Sequence, residues 1–226
     1  MTDTIVNHRT LVGEQRRQKM TRKLIESALV VFSEKGIDAS VIDDVIKQAG
    51  VSRGTFYNYF KTNTELLEAA SSALADELVD AIENVVGQWD NPVERIATGI
   101  RLFLNFAKIY PTLANFVWRA GFNAANSKFL FYDYLPRHIV ESKAQGLPEI
   151  KDVETTLELI MGTVLAACFG IAARKVPSNY PEGMVSHLLL GFGLSIEETD
   201  RLMSLSFDDL HLPEDSILVT IDSLSK

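Results

Sequence analysis

Apolar residues along this chain recur at spacings of three and four, the period of helices with one buried face. From residue 16, Leu24, Ala28, Val31 and Phe32 share a face and charged residues occupy the opposite one, until Gly36, which suits the position just past a helix end. A second helix is predicted from Ser40, with Ile42, Val45, Ile46 and Ala49 on its apolar side and Asp43 placed to answer free backbone N–H groups. Gly50 breaks it. Ser52 caps a short third helix to about residue 59, and Thr62 with Glu65 opens a long fourth one to about residue 86, with Leu66, Leu67, Ala70, Leu74, Leu78 and Ile82 inward.

The rest keeps the same period. Asn91-Pro92 reads as a cap followed by a first-turn proline, and Pro111 and Pro181 open helices the same way. Asp152 caps a helix to about residue 176, and Ser195 with Glu198 caps a short one. No run alternates as a strand would. The pattern predicts an all-α fold of nine or ten helices: a flexible N-terminal arm over residues 1–15, a three-helix head over 16–62, and a larger helical body over 63–226.

Residues 40–67 carry the most chemistry. A helix of about ten residues, a tight turn at Ala49-Gly50-Val51 and a helix of about eight make a helix-turn-helix, whose second helix enters the DNA major groove. Gly50 allows the positive φ such a turn needs. The second helix is unusually polar for a packing element. Arg53 suits bidentate contact with guanine and Asn58 with adenine. Ser52, Thr55, Tyr57, Tyr59 and Lys61 offer donors to phosphates, and Gly54 permits close backbone approach. Phe56 and Phe60 read as anchors into the core. Arg16, Arg17, Lys19, Arg22 and Lys23 lie where flanking phosphates could be touched.

Charge supports this division. The 226-residue chain has a net charge of −8, against indiscriminate nucleic-acid binding. Residues 1–61, however, hold 10 Lys+Arg against 7 Asp+Glu, so a mildly basic head sits on an acidic body. One cysteine, Cys168, excludes a disulfide framework, and four dispersed histidines argue against a protein-encoded metal site. No cofactor is expected. The N-terminus lacks the apolar run of a secretory signal, and the uncharged stretch 159–173 is shorter than the ~20 residues of a membrane span, so a cytoplasmic protein with no membrane partner is expected.

The segment resembles the TetR family of regulators. The likeness rests on Ala28, Phe32 and Gly36, then Ala49-Gly50-Val51-Ser52, Gly54-Thr55-Phe56-Tyr57, Tyr59-Phe60 and Glu65-Leu66, over about residues 16–68. Three positions depart from it: Ile46 replaces a usual alanine, Asn63 a frequent lysine, and Val41 a frequent Ser or Thr. The resemblance implies a dimeric, ligand-responsive repressor that binds a roughly palindromic operator and releases it when a small apolar or aromatic effector enters the body.

By that resemblance the aromatic-rich region 103–134 supplies effector-cavity walls; the candidates are Phe103, Phe106, Tyr110, Trp118, Arg119, Phe122, Asn126 and Tyr132. Small residues at helical spacing, Gly162, Ala166 and Gly170, together with Leu188, Leu189 and Phe192, suit a pair of helices packed on their copies in a homodimer. The competing reading is a helical interaction protein, or an enzyme, on the same scaffold without DNA binding. Catalysis is not expected: the adjacent acids Asp43-Asp44 and Glu197-Glu198 diverge by about 100° on a helix, and no phosphate loop or nucleophile elbow is present.

Overall fold

The structure, a computed structural model, describes residues 8–37, 41–125, 130–144, 152–207 and 212–225; the side chains of 8–10, 122–125 and 130–134 lie outside that description. The described residues form eleven helices and no strand. The head comprises α1 (His8–Lys35), α2 (Ile42–Ala49) and α3 (Arg53–Tyr57). In the body, α4 (Asn63–Val86), α5 (Pro92–Ile109), α6 (Pro111–Ala125) and α7 (Leu130–Ala144) precede α8 (Val153–Ala173), α9 (Tyr180–Gly191), α10 (Ile196–Ser204) and α11 (Ile217–Leu224).

Side-chain caps set many of the boundaries. Ser52, Thr62, Asn91, Asp152 and Ser195 each accept a backbone N–H two or three residues on, which satisfies donors that have no partner inside the helix. Each such cap contributes about 1 kcal/mol. Pro92 and Pro111 stand at first helical positions as expected, and Pro181 sits one residue later, in the first turn of α9.

Several boundaries differ from the sequence expectation. Residues 8–15, assigned to the arm, are the first turns of α1: they contain no proline, and their single glycine costs only about 1 kcal/mol in a helix. Residues 1–7 and the expected cap Ser40 lie outside the described residues. Helix α3 closes at Tyr57, short of residue 59, and α8 at Ala173, short of residue 176. Gly121, at φ 53° and ψ −145°, interrupts α6. The count exceeds nine or ten partly because α11 has only eight residues, too few for a visible period, although Ser216 caps it by accepting from Val219.

One continuous core runs through head and body. Helix α1 packs on α2 and α4 but also on α6 and α11. Phe32, the buried centre of the head, meets Phe116 of α6 with ring centroids 6.5 Å apart. Each such buried ring contributes on the order of 1.5–3 kcal/mol. The core therefore does not divide at residue 62, the expected boundary.

Buried Arg101 fastens the far end of the body. Its guanidinium donates to the carbonyls of Leu202 (3.2 Å) and Leu205 (3.1 Å), lies 3.7 Å from the Glu182 carboxylate and 5.0 Å from the Phe207 ring centroid. Burial pushes its pKa down, and Glu182 opposes that shift. Beside it, Arg201 bridges Glu94 of α5 and Glu198 of α10. Helix α8 is long and apolar enough to cross a membrane, but its inner side packs on α5, α6, α7 and α9.

Candidate nucleic-acid interface

The turn between α2 and α3 forms as its sequence dictates. Gly50 takes φ 61° and ψ 39°, in the left-handed region, and its N–H reaches the Lys47 carbonyl at 3.1 Å while Val51 N–H reaches Ile46 at 3.2 Å. Ser52 then caps α3: its Oγ accepts from Thr55 N–H at 3.0 Å and lies 2.8 Å from Thr55 Oγ1.

Two rings hold α3 down. Phe56 is fully buried and Phe60 nearly so; their centroids are 6.2 Å apart, and Tyr57 meets Phe56 edge-on at 5.4 Å. With those side chains inward, the others turn out. Ser52, Arg53, Gly54, Asn58 and Lys61 are exposed, and Thr55, Tyr57 and Tyr59 are half-buried. None of the eight residues picked for DNA contact is thus buried. A side chain at Gly54 would meet only Ser52 Oγ, at 3.9 Å, so nothing within the chain requires glycine there.

The cations on this surface already have partners. Arg53 pairs with Asp43 of α2, both well exposed, and Lys61 Nζ donates to the Tyr57 carbonyl. Exposed pairs of this kind are worth about 0–1 kcal/mol, little enough for a phosphate or base edge to displace. Arg17 of α1 lies over the Tyr59 ring, 5.8 Å from its centroid.

The join to the body is tight. Thr62 Oγ1 accepts from Glu65 N–H at 3.0 Å, and Glu65 reaches back to Lys61 N–H at 2.7 Å. Asn63 turns inward and donates to the Ile37 carbonyl at 2.7 Å, tying α4 to the end of α1. Its amide is a structural bolt, where a lysine would have reached outward. Sequence reasoning missed this bond and the α1–α6 contact, because both join residues distant in the chain.

The residues picked in the body differ in burial. Phe103 and Phe106 are buried in the core, and Tyr110 is half-buried with its ring 6.3 Å from Phe106. Trp118 is half-buried and Arg119 exposed; Trp118 stacks against Arg119 (4.7 Å) and meets Phe169 edge-on (5.3 Å). The side chains of Phe122 and Tyr132, and Asn126 altogether, lie outside the described residues. Among the described residues no group of three His, Cys, Asp or Glu is arranged to hold a metal ion. Burial pushes the Cys168 thiol up to about 12, which favours the un-ionised form.

The residues picked for a dimer contact divide. Ala166 is exposed, and a side chain at half-buried Gly162 would meet nothing within 4 Å. Leu188, Leu189 and Phe192 are instead buried within the chain, because α9 turns that side to α5, α8 and α10. Gly170 is buried as well: a Cβ there would lie 2.6 Å from the Tyr180 hydroxyl. These four serve the protomer's own packing. The outer stripe of α8 runs through Leu159, Gly162, Ala166 and Phe169, and that of α9 through Gly183, His187, Leu190 and Gly191. Phe169 is 53% exposed and Leu159 54%, and nothing in the chain crowds Gly162, Gly183 or Gly191.

A short capped helix, seated by two phenylalanines and joined to α2 by a left-handed glycine turn, makes a helix-turn-helix. Comparison with known proteins agrees. The family model for bacterial regulatory proteins of the tetR family matches residues 24–70. The uncharacterized HTH-type transcriptional regulator YvdT of Bacillus subtilis is 39% identical over 61 residues, covering 27% of this chain and 31% of that protein. The HTH-type transcriptional repressor KstR2 of Mycobacterium tuberculosis is 28% identical over 74 residues, 33% of this chain and 37% of its own. The matched chain thus spans about a third of the length of these relatives. Among solved structures, RolR in complex with resorcinol aligns over 88% of this chain and 100% of its own, with a TM-score of 0.68 at 22% identity. Residues 24–70 thus match the tetR family's model, and the chain as a whole shares its fold with RolR.

Proposed function

We propose that the protein is a transcriptional regulator that binds a roughly palindromic operator as a homodimer and releases it when a small apolar or aromatic effector enters the body. The outward set on α3, held by buried Phe56 and Phe60, carries the reading. In this reading residues 16–62 contact DNA and 63–226 bind effector and partner. Arg53 and Asn58 address base edges, while Ser52, Gly54, Thr55, Tyr57, Tyr59 and Lys61 address the backbone. The family's KstR2 is a repressor, and RolR binds resorcinol, which favours repression and an aromatic effector. The dimer contact is assigned to the outer stripes of α8 and α9. A regulator of this kind works in the cytoplasm.

Selection of bound genomic fragments with the purified full chain tests the reading. The expected result is a pseudo-palindromic site bound with a steep salt dependence. Equal affinity for all fragments at matched salt overturns it.

A further inference from the structure

A groove of about 460 Å³ opens where the head meets the body. One stripe of α1, from Glu14 through Arg17 and Arg22 to Ile25, forms its wall, and Ala73 of α4 and Ile217 of α11 close it. None of the candidate effector residues whose side chains are described lines it.

Its chemistry is divided. Ile25, Ala73 and Ile217 supply apolar contact. Arg17 and Arg22 stand on the rim against one acid, Glu14. Arg22 is engaged with Glu26 at 2.7 Å and with the Asp215 carbonyl. Arg17 pairs with no carboxylate among the described residues and rests on the Tyr59 ring. An exposed cation with no carboxylate partner among the described residues, beside an apolar pocket, is complementary to a molecule with a flat apolar body and one anionic group.

We propose that this groove is a ligand site, separate from the effector site proposed for the body, which takes a small aromatic carboxylate: the ring between Ile25, Ala73 and Ile217, the carboxylate on Arg17. The volume falls within the roughly 300–1,000 Å³ usual for small-molecule sites. Two links give occupancy a consequence. Arg17 is the residue over Tyr59, beside the reading helix, so a carboxylate that draws it away frees that ring. Ile217 begins α11, and Glu77 of α4 holds the N–H groups of Ile217 and Leu218 at 2.6 and 3.0 Å, so the ligand bears on the joint between α4 and α11.

The test uses the full chain without DNA, so its outcome is independent of whether the chain reads an operator. Calorimetric titration compares 2-naphthoate with its neutral amide. Naphthoate is expected to bind once per protomer, at least tenfold more tightly than the amide. Arg17→Gln should bring the two to equal affinity, because the difference is one charge-assisted contact. Thr21→Trp, which fills the groove from its half-buried α1 wall, should abolish both; circular dichroism checks that the variant is folded. If Thr21→Trp does not fold, Arg17→Gln decides alone. Equal affinity for naphthoate and amide in the wild type, naphthoate binding unchanged in Arg17→Gln, or no binding at millimolar naphthoate overturns the proposal.

Discussion

The surface of α3 and the outer stripes of α8 and α9 are both exposed, yet they meet water on opposite terms. On α3 and the turn that follows it the outward side chains are polar or charged, and those with a charge already hold a local partner: Arg53 on Asp43, Lys61 on the Tyr57 carbonyl. Such a surface is stable in water and engages an anion by exchanging weak contacts, so its binding is reversible and screened by salt. On α8 and α9, Leu159, Phe169 and Leu190 stand in water with glycines between them. That surface gains free energy only by being covered, at about 25 cal/mol per Å². The chemistry of the first surface suits a contact that is switched, and that of the second a contact that persists.

The largest effect is expected where the switched surface is anchored. Phe56→Ala empties a fully buried site in the head and should cost about 3–5 kcal/mol, measured by denaturant unfolding, with loss of DNA binding as a consequence. A smaller cost, with DNA binding retained, would show that α3 does not depend on this anchor.

Next comes the persistent surface. Ala166→Glu places a charge on the exposed face of α8 and should turn a dimer into a folded monomer in sedimentation at micromolar concentration. Leu189→Glu, at a side chain only 2% exposed, should unfold the protomer instead. If the two variants behave alike, the contrast between outer and inner sides of this helix pair fails.

Arg53→Ala and Tyr57→Ala should leave helical content unchanged and weaken operator binding by about 1–3 kcal/mol each, measured by gel shift at matched salt. Relaxed specificity in the arginine variant would sharpen its assignment to a base edge. Retention of full affinity in both would place the reading surface elsewhere.

The smallest effect concerns pH at the start of α8. The Asp152 carboxylate accepts from Thr155 N–H at 2.7 Å and from its hydroxyl at 2.8 Å, and these bonds hold its pKa below the ordinary aspartate value. A depressed folded pKa contributes stability that is present above about pH 4 and lost as pH falls through the folded value. The difference in Tm between the wild type and Asp152→Ala should therefore be constant near neutrality and shrink below about pH 4. A constant difference down to pH 2 would contradict it.

Local chemistry made the head legible in the sequence. The Gly50 turn, the Ser52 and Thr62 caps and the inward phenylalanines are all specified within a few residues, and the helical period sorts inside from outside without reference to the rest of the chain. The same reasoning found the helices of the body and most of their caps. It did not separate Ala166 from Leu189, since both lie in apolar stretches of helix and only the neighbours packed against each one decide which side is covered. Nor did it find that Asn63 turns toward Ile37, that Phe32 meets Phe116, or that Arg17, Ala73 and Ile217 surround one groove. A period of 3.6 fixes which residues share a face within one helix, but which faces meet depends on contacts between segments tens to hundreds of residues apart, and those exist only once the chain has folded.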